Sequence, residues 1–184
     1  WHPYEDYRKS YASQKELGGG AILTQIHDFD YSIYLFGMPK SLYTIGGKLS
    51  SLDLNVEDCV NVSTSFFYQN SILPINITLD YISWPSRRYI NLFGENGSIF
   101  CDLNKNKLEV HLRSKDKILN FDFSDITRNK IFIDELKNFI SFVNGTENPK
   151  VDLQEALKSM KFAMAAKYSL EINKVVELDK FIGI

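Results

Sequence analysis

The chain holds 184 residues, enough for one ordinary domain. Of these, 44% are hydrophobic, including 13 Phe and 10 Tyr, so a sizeable core can form and disorder is excluded. The net charge of −2 offers no attractive face to nucleic acid or an anionic membrane, and no apolar run approaches the ~20 residues of a membrane span, so neither partner is expected.

Residues 1–17, WHPYEDYRKSYASQKEL, are charged and aromatic without clean periodicity. The chain begins at Trp1 without a methionine and reads as part of a longer protein, with no secretory leader. Pro3 suits the first position of a short helix over residues 4–11. His2, Tyr4, Tyr7, Arg8 and Tyr11 have two readings, which stay open. They are an amphipathic lead-in whose tyrosines cover the core edge, or a ligand-facing loop, because Tyr, His and Arg suit hydroxyl and phosphate groups.

Gly18-Gly19-Gly20 predicts a tight turn into a helix. Across residues 21–36, Ile22, Ile26, Phe29, Ile33 and Phe36 fall at helical spacing and predict one helix with one buried stripe, stopped by Gly37 and Pro39. Thr24, His27, Asp28 and Tyr31 lie roughly opposite that stripe, on a face that is either solvated or functional. The helix start either packs closely or binds an anion. A dinucleotide turn is not read there, because a charged loop precedes the glycines and their spacing does not match G-x-G-x-x-G.

From residue 40 to about 123 the period changes to two. Segments at 40–49, 59–68, 73–83, 86–94, 97–103, 106–113 and 117–123 read as strands. Short Gly- and Asn-rich turns separate them and favour antiparallel neighbours, with Asn96-Gly97 the strongest hairpin signal. Helices follow. Phe132, Leu136, Phe139, Ile140 and Val143 make one stripe, and Leu153, Leu157, Met160 and Met164 make another behind a capping box at Asp152 and Glu155. Residues 174–178 suit one more short strand. The fold class expected is α+β, a large, mostly antiparallel sheet with helices packed on one face.

Cys59 and Cys101 sit in strand-like segments without metal spacing and read as buried, reduced thiols, which suits a cytoplasmic setting. N-x-S/T matches at Asn61, Asn76, Asn96 and Asn144 are read as chance. No P-loop, G-x-S-x-G, HExxH or metal constellation is present in the sequence, and His111 lies in an alternating strand.

GGGAILTQIHDFDYSIYLFG, preceded by WHPYEDYR, resembles the substrate domain of the glucose–fructose oxidoreductase/inositol dehydrogenase (Gfo/Idh/MocA) family. RRYINLFGENGSIFCDL and AMAAKYSLEINKVVEL extend the resemblance over essentially the whole chain, and WHPYEDYR resembles the branch associated with nucleotide-sugar and surface-polysaccharide metabolism. The resemblance implies the C-terminal half of an oxidoreductase acting on a sugar, nucleotide-sugar or polyol. NAD or NADP would be bound by an N-terminal Rossmann domain outside this chain, so the isolated domain would be inactive. It also implies a homo-oligomer formed through the open sheet face.

His27 matches the family histidine that exchanges a proton with the substrate hydroxyl, chemistry for which an imidazole titrating near neutrality is suited. His2, Tyr7, Arg8, Thr24 and Asp28 are the substrate-binding candidates, Arg8 for a phosphate or carboxylate. Many members carry an aspartate where this chain has Thr24. Asp30 matches an acid that is often structural. The departure at Thr24 keeps a second reading in view, a non-catalytic ligand-binding or dimerisation module on the same fold.

Overall fold

The period-two segments form antiparallel strands in two four-stranded sheets. The structure, a computed structural model, describes residues 6–183 and contains two compact units, Trp1–Ile82 with Val151–Ile184, and Ser83–Lys150.

In the first unit the predicted helix over residues 4–11 is instead a series of single 3-10 turns at Tyr7–Lys9, Tyr11–Ser13 and Lys15–Leu17. Asp6 and Ser10 accept hydrogen bonds from the N–H groups of Arg8 and Ala12, and the residue after each of the first two turns returns to extended backbone, so no helix propagates. Helices α1 (Ala21–Thr24) and α2 (His27–Phe36) follow, where one helix was expected. The break at Gln25 and Ile26 has a tertiary cause. The Gln25 amide donates to the Asp80 carbonyl at 2.9 Å, while the Asp28 and Phe29 N–H groups tighten onto the carbonyls three residues back.

Strands β1 (Ser41–Gly47), β2 (Cys59–Tyr68) and β3 (Ser71–Asp80) form a meander, and the chain returns after α4 to add the short β8 (Val176–Glu177) beside β1, in the order β3-β2-β1-β8. Alternation decides which side faces inward. Leu42, Thr44, Val60, Val62, Thr64, Phe66, Ile77 and Leu79 are buried under the helices, and their neighbours along each strand face outward. Phe29 from α2, Phe66 from β2 and Phe162 from α4 are fully buried, and the Phe162 ring meets the other two edge-on at 4.7 and 6.2 Å between centroids.

Helix α4 (Leu153–Ile172) begins at the expected Asp152 cap, whose carboxylate accepts from the Glu155 N–H at 2.9 Å. Its buried face differs from the expected stripe. Leu153, Leu157 and Met160 are 73, 40 and 40% exposed, whereas Ser159, Phe162, Ala163, Ala165, Ala166 and Ser169 are buried. Small side chains let the helix backbone lie close to β1. At that contact the Ser169 hydroxyl accepts from the Thr44 N–H at 3.0 Å and donates to the Lys174 carbonyl at 2.7 Å.

The second unit is the meander β4 (Tyr89–Gly94), β5 (Gly97–Asp102), β6 (Lys107–Leu112) and β7 (Lys117–Asp122), followed by α3 (Arg128–Val143), capped by Thr127. The expected β4–β5 hairpin is present. Its loop is Glu95-Asn96, and Gly97 already pairs with Gly94. The expected α3 stripe is a continuous apolar row that stays half or more exposed, from 50% at Ile140 to 66% at Val143. The fold is α+β, with antiparallel strands and helices against one face of the first sheet, as expected, but the strands divide into two four-stranded sheets where one large sheet was expected. Among the described residues no helix is long and apolar enough to cross a membrane. Cys59 and Cys101 are free thiols, half-buried, and burial pushes both up from the usual value.

Where β1 hands over to β2, Asp58 is fully buried. Its carboxylate accepts from the N–H groups of Leu49 and Ser50 at 2.7 and 3.1 Å and from the Ser50 hydroxyl. Burial alone would raise the Asp58 carboxyl, but these donors, with Lys48 nearby, outweigh it and hold the group below the usual carboxylate value. The stability this contributes is fully present above the unfolded carboxylate value of about 4 and is lost as pH falls through the lower folded value. Asp58→Asn should therefore lower stability at neutral pH by about 1–3 kcal/mol and flatten the loss on acidification below about pH 4. Thermal melts of parent and variant across that range check both.

Candidate functional site

The glycine-led helix start is packed, and its donors are already satisfied. The Gly20 N–H donates to the Ala12 carbonyl at 2.9 Å and the Ala21 N–H to the Glu57 carbonyl at 2.9 Å. The Ile22 N–H donates to the Glu57 carboxylate at 3.2 Å. Of the two readings of this turn, close packing holds, and the anion at the helix start is a side chain of the protein itself. Gly19 explains why the turn must be small. A Cβ there would lie 2.5 and 2.6 Å from the carbonyl oxygens of Tyr11 and Ala12, and at Gly20 it would strike the Glu57 carboxylate.

Four residues beyond that turn, the Thr24 hydroxyl donates to the Gly20 carbonyl at 2.8 Å and lies 2.6 Å from the Tyr81 hydroxyl. Tyr81 ends the inward series Ile77, Leu79, Tyr81 at the close of β3 and is only 8% exposed. With the Thr24 proton on Gly20, the single Tyr81 proton makes the bond to Thr24, and the Ala12 carbonyl, 3.2 Å from the phenol oxygen, is a longer alternative acceptor for it. Burial pushes the phenol up to about 12, with Glu57 adding to the rise and the Thr24 hydrogen bond opposing it. The position where the family resemblance implied an acid is thus occupied by a neutral pair of hydroxyls.

His27 is the first residue of α2, and it is exposed. Asp28 is half-buried and engaged, and its carbonyl accepts from the Ser32 hydroxyl at 2.9 Å. Asp30 accepts from the buried Ser159 hydroxyl at 2.6 Å, which joins α2 to α4, a structural bond. Tyr7 is half-buried, and its hydroxyl accepts from the Asp53 N–H at 3.0 Å. Arg8 is exposed and forked onto the Asp6 carboxylate at 2.7 and 3.1 Å, a pairing that raises the guanidinium and lowers the acid. His2 lies outside the described residues.

Tyr7, Ser13, Leu52, Leu54 and Tyr81 line a cavity of about 50 Å³, room for a few waters. A sugar needs several times that volume. Among the described residues no cluster of His, Cys, Asp and Glu could hold a metal. Nor does the glycine turn suit a dinucleotide: it lacks the strand–turn–helix arrangement, and Glu57 takes the helix start where a pyrophosphate would sit.

The model of an oxidoreductase family's C-terminal alpha/beta domain (Gfo/Idh/MocA) matches residues 1–178. The chain belongs to this family. Myo-inositol 2-dehydrogenase of Thermotoga maritima is 26% identical over 173 residues, which is 91% of this chain and 52% of the relative. The WlbA dehydrogenase of Bordetella pertussis, solved with NADH and UDP-GlcNAcA, superposes with a TM-score of 0.72 at 19% identity, over 96% of this chain and 52% of that one. An oxidoreductase of Agrobacterium radiobacter, solved with NAD+, L-tartaric acid and magnesium, gives 0.73 at 15%, over 95% and 54%. The solved structures establish the fold alone. The Gfo/Idh/MocA chain described here spans about half the length of these relatives.

Sequence reasoning missed Tyr81, Gln25 and Glu57. Tyr81 had a signal, since a polar-tipped residue in phase with Ile77 and Leu79 faces inward and needs a partner. Gly19→Ala should destabilise the fold by about 1–3 kcal/mol or more, because backbone carbonyls cannot step aside. Gly18→Ala, with open space around it, should be milder, and urea unfolding of the two variants side by side tests the ranking.

Proposed function

We propose that this chain is the substrate half of a nicotinamide-dependent oxidoreductase acting on a hydroxyl or keto group of a sugar, nucleotide sugar or polyol. NAD or NADP would be held by a Rossmann domain preceding Trp1. The observation that carries the reading is His27, an accessible imidazole at the head of α2 in a chain that matches the family model over residues 1–178.

Oxidation of a secondary alcohol sends a hydride from carbon to the nicotinamide and a proton from oxygen to a base. His27 takes that proton, and in the reducing direction returns it. Tyr7, Asp28 and His2 would supply polar contacts to the substrate, while Thr24, its hydroxyl engaged by Gly20 and Tyr81, would act from behind the site. Arg8 would exchange Asp6 for a phosphate or carboxylate, at little cost because the pair is exposed. The chain alone is then catalytically silent. UDP-GlcNAcA in the Bordetella enzyme and the inositol activity of the Thermotoga relative support a polyhydroxylated substrate.

The competing reading is a binding or dimerisation module that kept the fold, and it draws on Thr24, where no acid is available. One variant separates the two. In full-length protein with NAD+ and myo-inositol or UDP-N-acetylglucosamine, His27→Asn should lower kcat/KM by about 10²–10⁴-fold. Turnover within a few-fold of the parent would remove His27 from the chemistry.

A homo-oligomer through the outer face of the first sheet is part of the same proposal. That face carries hydrogen-bonded rungs Ser41–Ser65, Asn61–Thr78 and Ser63–Asn76, each at 2.9 Å, flanked by the exposed Ile45, Phe67 and Ile72. Each rung uses one donor and one acceptor, so the remaining amide and hydroxyl hydrogens are left to bond to a second copy. The 184-residue chain should elute as a dimer or larger at micromolar concentration, and Ser63→Arg should shift it to monomer. A parent that elutes as a monomer would overturn this part.

A further inference from the structure

The two polar residues just ahead of His27 are both fastened to one corner of the sheet. Thr24 meets the Tyr81 hydroxyl at 2.6 Å, and Gln25 donates to the Asp80 carbonyl at 2.9 Å. Those fastenings fall where α1 stops and α2 starts, so the end of β3 determines where the helix restarts and hence where its first side chain points. Behind the corner Phe29 is fully buried one turn after Ile26, which anchors the far side of the break.

Satisfying polar atoms does not require the Tyr81 hydroxyl. Thr24 already donates to the Gly20 carbonyl, and the Ala12 carbonyl already accepts from the Gly20 N–H at 2.9 Å. Replacing the phenol by a phenyl ring would keep the packed ring and strand neither partner. What that hydroxyl adds is a fixed distance between β3 and the residue three positions before the imidazole.

We propose that Tyr81 is a positioning residue for His27, acting through Thr24 to hold the start of α2. This rests on the reading of His27 as the proton-transfer group. Proton transfer needs the imidazole within hydrogen-bond reach of the substrate hydroxyl, and small misplacements of a reacting group cost large factors in rate. An α2 start free to swing about the break would present the ring over a range of positions. The Thr24–Tyr81 and Gln25–Asp80 bonds restrain that swing from ahead of His27, as buried Phe29 and the Asp30–Ser159 bond do from behind, and Tyr81 is the restraint whose removal changes a single atom.

The test is a cycle of variants in full-length protein, assayed with NAD+ and myo-inositol or UDP-N-acetylglucosamine. Tyr81→Phe should lower kcat/KM about 10-fold. Thr24→Val, which removes the same bond from its other end, should do likewise, and the pair together should cost no more than either alone. In a His27→Asn background Tyr81→Phe should change the residual rate by less than about twofold, because the group it positions is gone. An equal loss in both backgrounds, or no loss in either, overturns the proposal.

A second readout needs no substrate. With histidines only at positions 2, 27 and 111, the ring resonances of the 184-residue chain can be followed by NMR. Tyr81→Phe should shift or broaden those of His27 and leave those of His111 unchanged. An unmoved His27 signal overturns the positioning role. If His27→Asn proves as active as the parent, the proton-transfer assignment falls, while the NMR result still decides whether Tyr81 orients the ring.

Discussion

Two adjacent acids at the entrance to β2 hold the first unit together. Glu57 takes the start of α1 with its carbonyl and its carboxylate, and Asp58 takes the loop at Leu49 and Ser50. The backbone of Asp58 completes the junction by donating to Gly47 and accepting from Tyr81. Three segments, the start of α1, residues 47–50 and the end of β3, therefore converge on two consecutive residues. Such convergence is stable because every donor that is removed from water meets a carboxylate or carbonyl, and charge-assisted bonds are the stronger kind. Without it, α1 would begin with unpaired N–H groups and β3 would end free of the helix above it.

The candidate site inherits its geometry from that junction. Tyr81 leaves β3 directly beside it and meets Thr24, and three residues later the exposed histidine opens α2. Rigid elements of sheet and helix thus frame His27, although it lies on the surface. That combination suits a group that must meet a substrate arriving from outside the unit, with its backbone already ordered before the encounter. The exchange of an acid for a hydroxyl pair at Thr24 and Tyr81 leaves the surroundings of His27 with one charge fewer than the family resemblance implied.

Strand positions were legible in the residues because burial on one face imposes a period of two, and Val60, Val62, Thr64 and Phe66 keep it without a slip. The cap at Asp152 and the turn at Gly18–Gly20 were legible for similarly local reasons. The break between α1 and α2 was not, because its causes, Asp80 and Tyr81, lie 55 and 57 residues downstream of their partners. The buried side of α4 was misread because hydrophobicity pointed to Leu153, Leu157 and Met160, whereas close approach to β1 selects the smaller Ser159, Ala163 and Ala166. His27 became a candidate only through the family resemblance, since helical spacing alone does not distinguish a solvated polar face from a working one.

The small-residue face of α4 has a consequence for how this protein can vary. At Ala163 and Ala166, both fully buried, every replacement but glycine is larger and would lift the helix from β1. Glycine would keep the spacing but cost the helix about 1 kcal/mol. Such positions offer no neutral neighbour among single substitutions. Ser159, on the same face, also holds Asp30 of α2, so a lifted α4 would disturb the helix that carries His27. Substitutions here would move α2 although they touch none of its exposed side chains.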